Sequence, residues 1–174
     1  MSGTIRINRA PVLTLWAAVV AERLGFEREE ALTLGRAVAG LNAYSKGKAL
    51  GLFEPTPEAV KEQRRKLKPR GTFEVDLLGR AVSAIHTPEG IRALDKSKPA
   101  SAASVERYLQ GKFGDALEEV RAAMLRLARS MPPATLAARA FALYEQFRPA
   151  IPAGVGGWGA KGTLSLEKIA SLAK

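Results

Sequence analysis

The spacing of apolar residues changes twice along the chain, and those changes divide it into three stretches. In the first, Pro11 is followed by VLTLWAAVVAERL, apolar on nearly every side until Glu22, as in a helix enclosed by other elements. Pro11 suits a first helical position and Gly25 a closing one, so the run predicts a central core helix from Pro11 to Leu24. Ahead of it, Ile5 and Ile7 alternate as on an edge strand. Phe26 packs back, and a second helix starts near Glu27, with Glu27, Glu29 and Glu30 in the first turn, where the macrodipole favours anions. Ala31, Leu34, Val38 and Leu41 repeat at helical spacing and carry it to about Leu41. Gly35 and Gly40 each weaken this helix by roughly 1 kcal/mol unless close helix packing uses them. Asn42 to Leu52 reads as a looser turn and short helix.

After Gly71 the period becomes two. Phe73, Val75 and Leu77 alternate with Glu74 and Asp76, and a second run begins at Ala81. A two-residue turn at Gly79-Arg80 would set Leu77 against Val82, Val75 against Ala84 and Phe73 against His86, with all apolar partners on one face. Thr87-Pro88-Glu89-Gly90 has the composition of a type I turn, and Ile91 and Ala93 return on the same face. The prediction is a three-strand meander from Phe73 to about Leu94. Gly35–Leu50 and Gly79–Leu94 align without gaps at an offset of 44, sharing Gly-Arg-Ala-Val and Ala-Leu. Pro88 and Gly90 would break a helix in the second copy, so the match reads as coincidence rather than duplication.

Helical spacing then resumes. Asp95 to Pro99 is a polar connector, and Ser101 or Ser104 caps a helix with Val105, Tyr108, Leu109 and Phe113 inward. Leu117, Val120, Met124, Leu127 and Met131 form one stripe. Pro133 can open a further helix bearing Leu136, Ala140, Leu143, Tyr144 and Phe147, ended by Pro149. Thr163 to Ala173 reads as a short strand or helix. The fold class is therefore α+β, mainly helical: N-terminal helices, a small antiparallel β-meander in the middle and a C-terminal helical bundle. The natural division is 1–98 and 99–174, or one compact unit. With 47% hydrophobic and 25% charged residues, the chain has the composition of a folded globule.

Charge changes the picture most between Lys46 and Arg70, which hold eight Lys or Arg against three Glu, +5 of the chain's net +10. Within this stretch Thr56 can cap a helix with Pro57 at its first position, and Pro69 with Gly71 stops it. At about 100° per residue, Lys61, Arg64, Arg65 and Lys68 share one stripe, while Val60 and Leu67 lie together on another face. One face can dock on a core while its neighbour offers cations. Clustered cations of this kind bind phosphates by releasing condensed counterions; a solvated face that serves solubility alone is the plain alternative.

Composition also removes function classes. With no Cys and one His, disulfides, thiolate chemistry and the usual zinc sites are excluded, and no metal or cofactor is expected. His86, Thr87 and Glu89 sit within four residues, but their side chains diverge in a strand and turn, and no Gly-x-Ser-x-Gly elbow supplies a nucleophile. Gly154 to Gly159 has the Gly spacing of a phosphate loop, yet Ala160 stands where Lys is needed. Lys161 beside glycine N–H groups, with Trp158 to stack on a base, remains a candidate anion and base contact. Arg6 and Arg9 ahead of an apolar run imitate a secretory signal. Pro11 and Gly25 argue instead for a buried helix of a cytoplasmic protein, and the run is too short to span a bilayer.

The order of helix, long helix, short basic helix and hairpin from about Pro11 to Leu94 is similar to a winged helix-turn-helix module. That resemblance implies a helix in the major groove and a hairpin on the backbone. The second helix is longer than in such modules, and Glu74 and Asp76 make the hairpin less basic than a wing, so no family is assigned. The leading expectation is a non-enzymatic protein binding nucleic acid, DNA in the first place, mainly by phosphate contacts from Lys61, Arg64, Arg65, Lys66, Lys68 and Arg70. Lys46, Lys48 and Arg92 are auxiliaries, and the C-terminal helices support the fold or form a homodimer. The alternative is an adaptor or assembly subunit acting through those helices.

Overall fold

The computed structural model describes residues 3–49, 70–95, 97–150 and 161–173, with the side chains of 43–49 outside that description. The α+β, mainly helical class is the observed one. Strand β1 (Thr4–Asn8) leads directly into α1 (Arg9–Arg23) and, after a tight turn, α2 (Arg28–Ala49). Strands β2 (Phe73–Leu77), β3 (Arg80–Thr87), β4 (Gly90–Asp95) and β5 (Lys98–Pro99) follow. The remainder is α3 (Ala102–Phe113), a 3-10 turn, α4 (Leu117–Arg129), α5 (Pro133–Phe147), β6 (Lys161–Ser165) and α6 (Leu166–Leu172).

Helix α1 is the central element that its all-round apolar sequence predicts: every residue from Pro11 to Ala21 is buried. Helices α2, α3, α4 and α5 all pack against it. Trp16 fills the middle, its Nε1–H donating to the Ala140 carbonyl at 2.9 Å and its ring meeting Phe147 edge-on at 5.3 Å. The C-terminal helices thus form a bundle organised around α1 rather than closed on itself. One hydrophobic core runs from Ile7 to Ile169, drawing on both halves of the chain. Antiparallel pairing of β1 with β6 ties these halves again at their edges.

The two glycines of α2 separate cleanly. A Cβ at Gly35 would lie 2.5 Å from the Thr14 carbonyl oxygen and 2.8 Å from the Ala18 nitrogen, so α1 and α2 cross there with backbones in contact. Nothing lies within 4 Å of the equivalent position at Gly40. Gly35 is a packing requirement, whereas Gly40 only costs helix propensity. The helix nonetheless continues unbroken through Asn42–Ala49, within the segment that reads from the sequence as a turn and short helix.

The meander forms, with a shifted register. Val75 pairs with Val82 and Phe73 with Ala84, and the two-residue turn is Leu78-Gly79. Both turn residues have positive φ, +50° and +76°, as a tight hairpin turn matched to strand twist requires. The shift is an even number of residues, so each apolar side chain keeps its predicted face. Phe73 and His86 become diagonal neighbours and stack at 4.8 Å. The Pro88-Glu89 turn is as predicted, and β5 adds a fourth strand inside the expected connector. The apparent repeat is coincidental: its first copy lies largely in α2 and its second in the β3–β4 hairpin.

Ser101 caps α3, accepting the Ser104 N–H on its side-chain oxygen. Pro133 takes the first position of α5. Ser165 ends β6 and caps α6, so the segment read as strand or helix is one followed by the other. No helix among the described residues is long and apolar enough to cross a membrane.

Candidate nucleic-acid interface

Lys61, Arg64, Arg65, Lys66, Lys68 and Trp158, singled out from the sequence, lie outside the described residues. Lys46 and Lys48 fall in the last turns of α2. Arg70 is exposed where the chain re-enters β2, and Lys161 is exposed on β6, opposite Asn8. Arg92 is corrected by its surroundings. It is 7% exposed, its guanidinium reaching the Glu29 carboxylate at 2.9 Å and the Ile91 carbonyl, so it is an internal cation rather than an auxiliary phosphate contact.

The two elements between which the basic stretch lies in sequence, α2 and the sheet, are joined to each other by side chains of α2. Glu30, half-buried against the sheet edge, accepts the Ile91 N–H at 2.8 Å. The buried Thr33 hydroxyl donates to the Glu30 carbonyl and accepts the Ala93 N–H at 3.1 Å. These side chains of α2 satisfy the edge of β4 that would otherwise present open donors. Farther along, Arg80 at the start of β3 donates to the Asn42 side chain at 3.2 Å.

Beyond that seam, α2, the β4–β5 strands and α3 enclose a cleft of about 900 Å³, within the range of about 300–1,000 Å³ typical of small-ligand sites. Thr33, Arg36, Ala37 and Gly40 line its α2 wall, at helical spacing. Lys98, Ser101, Ser104 and Tyr108 face them across the opening. The exposed Arg36 guanidinium lies over the Tyr108 ring, 4.8 Å from its centroid. Among the described residues neither Arg36 nor Lys98 is in an ion pair, unlike Arg28 with Glu106, Arg92 with Glu29 and Arg121 with Glu22. Asp95, the one carboxylate on the described wall, pairs with Lys98 across the strands by backbone register but not by an ion pair. Burial pushes the Tyr108 phenol above its usual range, partly opposed by Arg36, so it stays a neutral donor at physiological pH.

Two other cavities are less suited to a ligand. One of about 580 Å³ gathers His86, Glu29 and Glu89. There Glu29 is held by Arg92, Glu89 is hydrogen-bonded to the Thr87 hydroxyl, and His86 is exposed and stacked on Phe73. The triad-like trio is thus not aligned as nucleophile, base and orienting acid. Another, of about 510 Å³, holds Arg23, Arg28 and Arg129. Two helices end there, and Arg23 and Arg129 sit in the last turns, where a cation complements the helix dipole. No group of three or more His, Cys, Asp or Glu side chains that could hold a metal occurs among the described residues.

Arg36, Lys98 and Tyr108 come from three separate elements, and no local motif marks them. The nearest sequence signal is a solvent-side Arg one turn from an inward-facing helical stripe. Scans against protein-family profiles, curated proteins and solved structures give no match, so the site stands on its own geometry.

Proposed function

We infer that this chain is a non-enzymatic nucleic-acid-binding protein that contacts mainly phosphates through the stretch Lys46 to Arg70. The carrying observation is the concentration of charge: +5 of a net +10 within that stretch, while Arg92 and Arg121 of the described fold are matched by carboxylates. The elements on either side of it in sequence support the reading, since α2 and the sheet are fixed to each other through Glu30, Thr33 and Asn42. Gln63 and the arginines are the few side chains there able to read base edges, so sequence preference is weak. The adaptor alternative calls for an exposed apolar patch on the C-terminal helices. The one large hydrophobic residue exposed among the described residues is Leu41 on α2.

Binding of a random-sequence duplex and of single-stranded DNA across a salt series tests the reading. A log-log slope near −5 corresponds to ~6 neutralised phosphates. The triple substitution Lys61→Glu, Arg65→Glu, Lys68→Glu abolishes binding. Unchanged affinity in that variant removes the stretch from the interface, and absence of wild-type binding at ~50 mM salt ends the nucleic-acid reading.

A further inference from the structure

We propose that the cleft between α2, β4–β5 and α3 receives one unpaired nucleotide of the bound strand, making the protein a single-strand reader. This rests on the nucleic-acid reading and adds a site that the basic stretch does not contain. Arg36 is exposed, is in no ion pair among the described residues, and has its guanidinium carbon over the Tyr108 ring, 4.8 Å from the centroid. A guanidinium in that state offers its outer face to a planar aromatic group, and base, guanidinium and phenol then form three layers. Lys98, also without an ion pair, stands across the opening for the adjoining phosphate, with the hydroxyls of Ser101 and Ser104 beside it. A paired base cannot enter, because its faces are covered by stacking and its edge by its partner. The cleft opens along the wall of α2 that runs from Thr33 through Arg36 and Ala37 to Gly40, so a strand can lie against this helix.

The test uses the full chain with three probes: a thymidine oligonucleotide carrying one 2-aminopurine, a hairpin duplex of the same nucleotide count, and thymidine monophosphate as competitor. Arg36→Lys keeps the charge and removes the planar stacking surface. The expected result is single-strand binding at least about fivefold tighter than duplex binding, from a stack of the usual strength. Quenching of 2-aminopurine accompanies it in the wild type. In Arg36→Lys that preference and the quenching disappear, while duplex affinity, salt slope and melting temperature stay as they are. Equal affinity for the two nucleic acids in the wild type, or an Arg36→Lys variant that keeps both preference and quenching, overturns the cleft assignment and leaves the phosphate interface standing. Competition by the monophosphate as strong as by the oligonucleotide makes this a free-nucleotide site and overturns the strand assignment. No binding of either nucleic acid overturns both readings.

Discussion

Two neighbouring parts of α2 spend their polar side chains in opposite ways. Glu29, Glu30 and Thr33 are all engaged with β4, by an ion pair to Arg92 and by backbone N–H groups of Ile91 and Ala93. One turn on, Arg36 has only the face of Tyr108 beneath it. The first set closes a sheet edge and belongs to the fold. The second leaves an exposed cation over an aromatic ring and facing a cleft, which adds little to stability and is available to a ligand. Exposure and charge alone do not separate these roles, since Glu29 is itself well exposed; what separates them is whether the partner is already in the chain.

The sharpest way to break this contrast is at the helix crossing that positions both parts. Gly35→Ala drives a Cβ into the backbone of α1, and we expect a loss of about 3 kcal/mol, a fall in melting temperature of roughly 6–12 °C. Next comes Thr33→Val, which keeps the shape and leaves the Ala93 N–H buried without an acceptor. It costs about 1–3 kcal/mol by urea denaturation. Arg36→Ala, one turn away, changes stability by less than about 1 kcal/mol, the worth of an exposed cation–π contact. A loss at Arg36 as large as at Thr33 erases the distinction.

The two tyrosines repeat the contrast on a pH axis. Burial raises the Tyr144 phenol to about 12, with Arg148 and Arg9 pulling against it, while Tyr108 is raised without a comparable enclosure. A phenol that ionises later in the folded than in the unfolded chain leaves stability unaffected below about pH 10. Between about pH 10 and 12 the unfolded chain loses the proton first and stability falls, by about 1.4 kcal/mol per pH unit at most. Tyr144→Phe flattens that alkaline limb and Tyr108→Phe flattens it less. The smallest effect is a gain: Gly40→Ala, with open space around it, stabilises by about 0.5–1 kcal/mol.

Much of the fold is legible in the chain because its strongest signals are local. An apolar run bounded by Pro11 and Gly25, a proline opening α5 and alternation from Phe73 to Leu77 each name an element without help from elsewhere. The register of the first hairpin is not legible, because the observed turn places Leu78 at φ +50°. A leucine there is strained, and burial of its side chain, 5% exposed, offsets the strain in a way that no local pattern announces. The length of α2 is hidden for a related reason: Asn42 and Gly47 look like terminators, yet the helix runs on to Ala49. Arg92 reads as a surface cation because nothing in its own strand reveals Glu29, 63 residues away. The cleft is the least legible feature, since Arg36, Lys98 and Tyr108 meet only after the sheet has docked on α2.

The enclosure of α1 has a consequence for how the protein is made. In synthesis this helix precedes the helices that cover it, and from Pro11 to Ala21 it is buried on every side in the folded protein. Yet α4 and α5, which cover it, are completed more than a hundred residues later, on the order of 10 s at ordinary translation rates. The pairing of β1 with β6 must wait longer still. For that interval the nascent chain carries this apolar helix without α4 and α5 over it, with α2, packed through the Gly35 crossing, as its nearest shelter.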